Sequence, residues 1–398
     1  MPIHGQNCQV PLFKREISAR LLRLAAEYPA VVLTGARQVG KTTLLRELFP
    51  RHHLVSLDLP SVAEQAETDP QRFLAAHPPP VIVDEVQYAP QLFRHLKVAI
   101  DADRHRFGQY LLTGSQNFVL MKEVADSLAG RAAILRLETL SLAELGDAAP
   151  GWESLLARGQ FPELWRQPAM QASDYHAAYV ATYLERDVRQ ILNVQNLRDF
   201  ERFLRAAAAR SGQLLNLADM ARDVGIKPHT AREWLGVLEA SNQCVLLEPY
   251  FENIGKRLVK SPKLYLTDSG LLCFLLGLDE RTLERSPLIG AIWETFVFAE
   301  LRKRLAAAED GAAVSLWFYR DSQGREVDFL RAGGGRIDLL DAKWSAEPDE
   351  RWYRLLGDVE GTLGRLRTHA PGRKLIVCRV AAPRMQGGTF VTTPRDMM

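Results

Sequence analysis

Residues 30–43 read AVVLTGARQVGKTT, and this stretch decides the fold of the first third of the chain. Its valine-rich start predicts a buried strand, the pattern G-x-x-x-x-G-K-T follows, and LLREL at residues 44–48 predicts a helix. Gly35 and Gly40 permit the backbone turns that point successive N–H groups at a phosphate, which the positive end of the following helix also attracts. The stretch therefore predicts a phosphate-binding loop between a strand and a helix.

The side chains of this loop predict a nucleotide site for ATP with Mg²⁺. In such loops the lysine, here Lys41, contacts the β- and γ-phosphates and serves catalysis, and the hydroxyl of Thr42 binds the metal ion. Ser115, at the end of a later strand, is placed to sense the γ-phosphate, although it could equally belong to an ordinary strand-capping turn. The residues predicted to contact the nucleotide are Gly35, Ala36, Arg37, Gln38, Val39, Gly40, Lys41, Thr42, Thr43 and Ser115.

A second motif, PPVIVDEVQ at residues 79–87, predicts a buried strand that ends in two carboxylates. Asp84 is expected to hold Mg²⁺, usually through water, and Glu85 to polarise the attacking water as the catalytic base. The alternative is a strand that ends in a solvated acidic turn. The phosphate-binding loop, roughly 40 residues upstream, favours the catalytic interpretation.

Further apolar runs, HLVSLDL at residues 53–59 and AAILRLETL at residues 132–140, bring the total to about five strands that alternate with helices. This alternation predicts an α/β domain with a parallel sheet covered on both faces. Arg131 follows a predicted helix and could reach the nucleotide of a neighbouring subunit in a homo-oligomer. A surface salt bridge is the favoured alternative for this arginine.

The amino-acid composition argues against several classes of protein. The chain has 398 residues, 47% of them hydrophobic and 25% charged, with a net charge of +2, which is ordinary for a globular protein of several domains. No run approaches the roughly 18 apolar residues of a membrane span, and the N-terminus lacks a signal peptide, so we expect a cytoplasmic protein without membrane contact. The four cysteines are far apart, which argues against a zinc knuckle or a disulfide framework. Because the net charge is nearly neutral, any nucleic-acid contact must be local.

Residues 215–250 read LNLADMARDVGIKPHTAREWLGVLEASNQCVLLEPY and predict two short helices, broken at Gly225 and Pro228, followed by a strand. This is the rhythm of a helix-turn-helix with a wing. If the second helix reads DNA, its first residues face the groove, and the basic segment GKRLVKSPK contacts phosphates. The alternative is a protein-interaction module or a lid on the nucleotide domain. The residues predicted to contact DNA are Lys227, His229, Thr230 and Arg232, and in the wing Lys256, Arg257, Lys260 and Lys263.

The stretch REVDFLRAGGGRIDLLDAK, residues 325–343, alternates apolar and polar positions on both sides of a glycine turn. If Gly334 and Gly335 form a two-residue type I′ turn, Asp328 lies opposite Asp341 on the polar face. Two facing aspartates repel each other unless a cation or an ammonium group lies between them. The hairpin therefore predicts a compensating positive charge at this point.

A divalent cation, Mg²⁺ or Mn²⁺, is one way to relieve that repulsion, since both ions take carboxylate oxygens as ligands. Asp328 and Asp341 would then be metal ligands and catalytic residues, and Lys343 would steady the attacking hydroxide or the transition-state phosphate. The alternatives are a different register, which separates the two aspartates, and an ordinary strand whose polar face meets water.

Eight motifs occur in a fixed order along nearly the whole chain: LTGARQVGKTTL, VIVDEVQ, LLTGSQNF, SLAGR, FPELW, YLERDV, SPKLYLTDSGLL and GREVDFL. In this order they resemble a group of prokaryotic AAA-type P-loop ATPases, whose core is followed by a winged helix and a C-terminal restriction-endonuclease-like domain of unknown function. The resemblance implies ATP binding and hydrolysis at Gly35, Gly40, Lys41, Thr42, Asp84 and Glu85.

The resemblance also implies a PD-(D/E)xK type of site in the C-terminal domain. Asp328, Asp341 and Lys343 supply its motif, and Glu294, on a predicted helix, is an additional metal ligand. Two residues depart from the pattern of that group, because Asp341 stands where glutamate is more frequent and Trp344 is bulky beside the expected phosphate path. These departures leave the expected fold in place and bear on cleavage.

Together the patterns predict an α/β chain of three domains: an AAA-type P-loop ATPase domain at residues 1–150, a helical lid and winged helix at 151–285, and an α/β restriction-endonuclease-like domain at 286–398. The functional hypothesis is an ATP-binding and Mg²⁺-dependent ATP-hydrolysing protein that acts on DNA through the winged helix and the nuclease-like domain. The alternative is a nucleotide-gated protein-interaction switch whose nuclease-like domain is catalytically inactive.

Overall fold

The computed structural model describes residues 13–115, 126–148, 151–183, 188, 197–250, 261–308, 314–365 and 369–397. Along the chain, the strands of these residues form a five-stranded, a three-stranded and a six-stranded sheet. Within the described residues, no helix combines the length and the apolar character that crossing a bilayer requires.

The five-stranded sheet carries the phosphate-binding loop. Its strands are β1 (Ala30–Thr34), β2 (His53–Ser56), β3 (Val81–Asp84), β4 (Tyr110–Gly114) and β5 (Ala132–Arg136). They lie in the order β2-β3-β4-β1-β5, and every neighbouring pair is parallel, so the predicted parallel sheet is confirmed. Because the carboxyl ends of parallel strands meet at one edge, the residues that follow β1, β3 and β4 lie together. The helices of this part are α1 (Ser18–Glu27), α2 (Lys41–Leu48), α3 (Pro60–Thr68), α4 (Pro70–Ala76), α5 (Leu92–Ala102) and α6 (Leu142–Leu145).

The middle part consists of helices followed by a small antiparallel sheet of order β6-β8-β7. Its elements are α7 (Trp152–Arg158), α8 (Pro162–Arg166), α9 (Ala172–Tyr183), α10 (Leu197–Ala208), β6 (Gln213–Leu214), α11 (Leu217–Val224), α12 (Pro228–Ala240), β7 (Cys244–Leu247) and β8 (Lys263–Leu266). Helix α11 ends at Gly225, whose φ of 81° is the left-handed conformation typical of a helix C-terminus. Helix α12 begins at Pro228, where a missing N–H leaves no hydrogen bond unmade.

The C-terminal part has a mixed sheet of order β13-β14-β12-β11-β10-β9. Its elements are α13 (Ser269–Leu276), α14 (Glu280–Leu283), α15 (Ile289–Ala307), β9 (Ser315–Arg320), β10 (Glu326–Gly333), β11 (Arg336–Ala342), α16 (Glu350–Gly364), β12 (Ala370–Val377), β13 (Arg384–Gln386) and β14 (Thr389–Thr392). Gly334 and Gly335 have φ angles of 57° and 74°, and Leu330 pairs with Leu339 across the hairpin. The predicted two-residue turn and the predicted register of the hairpin are therefore confirmed.

One buried polar network joins all three parts. The carboxylate of Glu300, on α15, accepts hydrogen bonds from Leu142 N at 3.0 Å and from Gln160 Nε2 at 2.8 Å. Lys303 donates to the same carboxylate at 3.0 Å and to the carbonyl oxygen of Leu140 at 2.8 Å. Because these groups are buried, each hydrogen bond offsets a desolvation cost that its loss would expose. The network therefore ties α15 to the segment that follows the parallel sheet.

Candidate functional site

The phosphate-binding loop has a backbone that favours glycine at two positions. Gly35 and Gly40 have φ angles of 147° and 92°, a range that L side chains rarely adopt. A Cβ atom at Gly35 would also lie 2.2 Å from the carbonyl oxygen of Leu137. The loop therefore turns sharply between β1 and the N-terminus of α2, where a helix attracts phosphate.

Lys41, the first residue of α2, folds back over this loop. Its Nζ atom donates hydrogen bonds to the carbonyl oxygens of Gly35 and Ala36, at 3.0 and 2.8 Å. The side chain is buried, so its charge is poorly screened by water. The ammonium group is therefore held beside the loop, where it can exchange carbonyl oxygens for the more strongly bound oxygens of a phosphate.

The two residues predicted to hold Mg²⁺ meet in the structure. Thr42 Oγ1 donates a hydrogen bond to Asp84 Oδ1 at 2.7 Å, and the hydroxyl of Thr113 donates to the same oxygen. They are neighbours because β1 and β3 both flank β4 in the parallel sheet. A hydroxyl and a carboxylate are hard oxygen ligands, so this pair fits Mg²⁺.

Glu85 follows β3 in the left-handed region, with φ 55° and ψ 47°, a strained conformation that is typical of functional sites. Its carboxylate accepts hydrogen bonds from Gln87 Nε2 at 2.5 Å and from Ser115 Oγ at 3.1 Å. Burial alone would raise the pKa of Glu85, but the charge of Lys41 and the hydrogen bonds outweigh burial and lower it. Glu85 is therefore a carboxylate at neutral pH, which is the form that accepts a proton from water.

Most of the predicted nucleotide residues line one cleft of 430 Å³. Two residues near the nucleotide cleft, Gln87 and Thr182, were not predicted from the sequence. The position of Gln87 in the DEVQ motif could have indicated it. Thr182 reaches the cleft from α9. A contact between this helix and the distant phosphate-binding loop leaves no local pattern in the sequence. The cleft is lined by Arg37, Gln38, Gly40, Lys41, Thr42, Thr43, Glu85 and Thr182.

A second cavity, of 490 Å³, adjoins the cleft, since Gln38, Gly40 and Thr43 line both. Its wall joins residues from the start of the chain, the phosphate-binding loop and the helices of the middle part, so no single motif predicted it. A mostly apolar cavity of this size fits a flat organic group. Its apolar lining residues are Phe13, Val39, Leu44, Leu140, Pro162, Met170 and Tyr175.

Arg131 lies at the surface in a two-pronged ion pair. Its Nε and Nη2 atoms lie 2.7 and 2.8 Å from the two carboxylate oxygens of Asp101, on α5. This contact is the salt bridge named above as the alternative to a role in a neighbouring subunit. In this structure the guanidinium group of Arg131 forms an ion pair within its own chain.

Helix α12 presents a basic face to solvent at its N-terminal end. Lys227, His229 and Arg232 are exposed, and Thr230 is half-buried. His229 lies 3.5 Å from Glu233 on the next turn, which offsets part of the basic character of this face. The predicted wing residues Lys256, Arg257 and Lys260 lie outside the described residues.

The predicted cation-binding side chains of the C-terminal part meet in one buried group, which we call the acidic cluster. Lys343 Nζ lies 3.0 Å from Asp328 Oδ2 and 2.8 Å from Asp341 Oδ1. The ammonium group of Lys343 therefore contacts both aspartates, which is one of the two ways expected to relieve their repulsion. The acidic cluster consists of Glu294, Glu326, Asp328 and Asp341 together with Lys263 and Lys343.

Lys263 enters the acidic cluster from the middle part, as the first residue of β8. Its Nζ atom lies 2.8 Å from Glu294 Oε1, 2.5 Å from Glu326 Oε1 and 3.7 Å from Asp328 Oδ1. The side chain is only 1% exposed, so the prediction that Lys263 contacts DNA phosphates in a wing is wrong. The physical reason is that Lys263 forms ion pairs with buried carboxylates of distant elements, although its own basic segment contains no acidic residue.

Burial and mutual repulsion favour the protonated form of two carboxyls in the acidic cluster. Burial and then the charge of Asp328 raise the pKa of Asp341 well above its usual range and the pKa of Glu294 to about 7. Burial would also raise the pKa of Asp328, but the charges of Lys343 and Lys263 outweigh it and lower that pKa. Among the described residues Asp341 Oδ2 makes no hydrogen bond, and a proton on Asp341 can be donated to Asp328.

Among the described residues, no group of three or more His, Cys, Asp or Glu side chains has the arrangement of a metal site. Glu294, Asp328 and Asp341, the predicted ligands of Mg²⁺ or Mn²⁺, do lie together. Their oxygens face the ammonium groups of Lys263 and Lys343 instead. The acidic cluster in this arrangement therefore does not fit a divalent cation.

Three family models match successive segments of the chain. A model described as an AAA domain matches residues 27–146. Two models, each described as a domain of unknown function, match residues 149–282 (DUF8612) and 289–390 (DUF4143). Among solved structures, the Walker-type ATPase PABY2304 of Pyrococcus abyssi is 16% identical with a TM-score of 0.47, covering 69% of this chain and 99% of that one. RuvB of Thermotoga maritima is 18% identical with a TM-score of 0.31, covering 58% of this chain and 87% of that one.

Two curated relatives align along most of the chain. They are "Uncharacterized protein Mb2031c" of Mycobacterium bovis and "Uncharacterized protein Rv2008c" of Mycobacterium tuberculosis. Each is 33% identical over 369 residues, which cover 90% of this chain and 80% of the relative. The chain therefore belongs to the family of these mycobacterial proteins, and it carries an AAA domain at residues 27–146.

Proposed function

We propose that the protein binds ATP with Mg²⁺ in the cleft beside the phosphate-binding loop and hydrolyses it. The observation that carries this proposal is the position of Glu85, which faces the same cleft as Lys41 and is held there by Gln87 and Ser115. A deprotonated, oriented carboxylate beside a phosphate cradle is what an attacking water requires.

The residues of the cleft divide the work by their chemistry. The backbone of the loop and Lys41 bind the β- and γ-phosphates, and Thr42 with Asp84 would hold the Mg²⁺ ion. The ion supplies positive charge that offsets the charge developing on the phosphate oxygens. Glu85 accepts a proton from water, and Arg37, which lines the cleft, adds positive charge near the γ-phosphate. With Arg131 paired to Asp101, Arg37 supplies this charge from within the same chain.

The second cavity is the proposed site of the adenine base. Its shared border with the cleft lets one nucleotide span both spaces, and its apolar wall suits a flat ring. Leu140 of the wall is hydrogen-bonded to Lys303, and Met170 and Tyr175 belong to the middle part. Binding and release of nucleotide therefore act on the contact between the AAA domain and the helices that follow it.

Release of phosphate from ATP by the full-length protein tests this proposal. We expect hydrolysis in Mg²⁺ and its loss on chelation, because Thr42 and Asp84 cannot neutralise phosphate charge alone. A protein that binds no nucleoside triphosphate, or one that hydrolyses ATP equally well in a chelator, contradicts the proposal.

We further propose that ATP turnover serves an action on DNA. The order helix, strand, two helices and two strands, from α10 to β8, is that of a winged helix, and the exposed basic end of α12 supports a contact with the major groove. The opposed Asp328 and Asp341 with Lys343 support a nuclease-like C-terminal domain. Turnover would change the placement of the middle part relative to that domain.

Salt dependence measures the DNA contact directly. We expect duplex binding by the full chain to weaken steeply with salt, and a Lys227→Ala/Arg232→Ala variant to reduce the slope of log affinity against log salt by roughly 2, about 0.9 per lost phosphate contact. Arg351→Ala, which removes an exposed charge on α16, is the matched control and should leave the slope unchanged. Equal slopes for the double variant and the wild type would remove α12 from the DNA interface.

The second candidate is a nucleotide-gated protein-interaction switch with an inactive nuclease-like domain. The observation that favours it is Lys263, whose ammonium group lies among carboxylates that cleavage would need for a metal ion. The near-neutral charge of the chain is consistent with it. This candidate requires that the full chain neither binds DNA at low salt nor cuts duplex, single-stranded or branched DNA with Mg²⁺ or Mn²⁺. Cutting that Asp328→Ala or Lys343→Ala abolishes would exclude it.

A further inference from the structure

We propose that Lys263 closes the acidic cluster in cis, so that its ammonium group takes the place of a divalent cation among Glu294, Glu326 and Asp328. The inference rests on the proposed nuclease-like arrangement of these carboxylates, and it states which cation lies among them. The wild-type cluster is then an internal ion cluster that binds no divalent cation until Lys263 is withdrawn.

The carboxylates around Lys263 Nζ are placed as the partners of an ammonium group. An ammonium group has three N–H donors, and Lys263 Nζ faces three carboxylates, of Glu294, Glu326 and Asp328, at 2.8, 2.5 and 3.7 Å. The stem of Lys263 passes the ring of Phe318, whose centroid lies 5.5 Å from Nζ. Two carboxylates therefore lie within hydrogen-bond distance of this buried ammonium group, and Asp328 and the ring of Phe318 add longer-range attraction.

The backbone of Lys263 is fixed as firmly as its side chain. Lys263 pairs with Leu247 of β7 on one side and with Leu214 of β6 on the other. Because β8 is the central strand of its sheet, the side chain cannot leave the cluster by a simple movement of an edge strand. Withdrawal requires that the sheet of the middle part move away from β10.

A count of charges explains why a divalent cation has no place beside Lys263. The acidic cluster has four carboxyl groups and faces three cations, because Arg320 also pairs with Glu326 at 3.0 Å. These ion pairs leave at most one negative charge uncompensated, so an added divalent ion would leave a buried net positive charge, which is unfavourable.

Removal of Lys263 reverses this balance. Without its ammonium group Glu294 loses its ion pair with Lys263, and the four carboxyls face only Arg320 and Lys343. A small divalent cation with oxygen ligands relieves the excess negative charge. Lys343 still contacts both Asp328 and Asp341 in that case. The closing lysine thus belongs to one part of the chain and the carboxylates to another, so access to the cluster depends on how the two parts are placed.

Binding of Mn²⁺ to the nucleotide-free full chain, measured by the loss of the free-ion EPR signal, tests the proposal. We expect Lys263→Met to gain about one bound Mn²⁺ per chain over the wild type, and Lys263→Met/Asp328→Asn to lose it again. Lys374→Met is the matched control, since Lys374, on β12, forms an ion pair with Glu360 of α16 outside the acidic cluster. A natively folded Lys263→Met variant that gains no Mn²⁺ overturns the proposal.

A second comparison does not depend on the folding of Lys263→Met. Asp341→Asn keeps the shape of the side chain and an oxygen that can accept the hydrogen bond from Lys343, so it should fold, yet it removes a cation ligand. We expect the wild type and Asp341→Asn to bind the same amount of Mn²⁺. More Mn²⁺ on the wild type overturns the proposal. Neither result involves ATP hydrolysis or DNA, so a failure here is distinguishable from a failure of the proposed function.

Discussion

Glu85→Gln should bind ATP as the wild type does and hydrolyse it about 10²- to 10⁴-fold more slowly, which is the range that a general base contributes. The amide keeps the size of the side chain and can still accept hydrogen bonds from Gln87 and Ser115 through its oxygen. It cannot accept a proton from the attacking water. Single-turnover phosphate release at saturating ATP, with ATP affinity from an equilibrium titration, measures the two effects separately.

Two controls show that the effect belongs to Glu85. Glu64→Gln, at an exposed position on α3, makes the same chemical change outside the cleft and should leave turnover unchanged. The pKa of Glu85 is lowered, so its carboxylate form persists below the pH at which an ordinary glutamate is protonated. Wild-type turnover limited by this group should therefore fall only as the pH drops through that lowered pKa. A Glu85→Gln variant with wild-type turnover would exclude Glu85 as the base.

The parts of the site that sequence predicted are those whose geometry is local. Lys41 reaches Gly35 and Ala36 within one loop, and two glycines fix that loop. The hairpin register followed from Gly334 and Gly335 because a two-residue turn leaves one pairing of the flanking residues. The alternation of apolar runs with helical segments was enough for the parallel sheet, since only buried strands read as continuous valine-rich runs.

The parts that sequence did not predict depend on how distant elements pack. Lys263 looked like one more basic residue of a wing, and only the approach of β8 to α15 and β10 brings it to Glu294 and Asp328. Trp344, expected beside a phosphate path, packs edge-on against Trp293, with the guanidinium group of Arg379 3.7 Å from the centre of its ring. Neither contact leaves a periodic or motif signal in the chain.

The difference between local and long-range contacts explains why the turn at Gly334 and Gly335 was predicted correctly and the partners of Lys263 were not. A turn is decided by the φ angles of adjacent residues, whereas the partner of a charge is decided by everything that packs around it. The facing aspartates were interpreted as ligands of a divalent cation, whereas the ammonium group of Lys343, two residues from Asp341, contacts both of them. The second positive charge, Lys263, is the non-local one.

Lys41→Ala should remove most of the affinity for ATP rather than only its turnover. The ammonium group is expected to bind oxygens of two phosphates, and each charge-assisted hydrogen bond is worth about 1.5–3 kcal/mol. Losing both corresponds to about 10²- to 10⁴-fold weaker binding at roughly 1.4 kcal/mol per factor of ten. Isothermal titration with ATP and Mg²⁺ measures this directly.

The controls for Lys41→Ala separate the loss of a phosphate contact from damage to the loop. Lys41 also bonds to Gly35 and Ala36, so thermal unfolding without nucleotide must show that the variant keeps the wild-type transition. Lys97→Ala, at an exposed position on α5, is the matched control and should bind ATP normally. Lys41→Arg keeps the charge, but a planar guanidinium group replaces a point charge in a buried space, so its affinity should remain well below wild type. Wild-type affinity in a folded Lys41→Ala protein would mean that nucleotide binding does not depend on the ammonium group of Lys41.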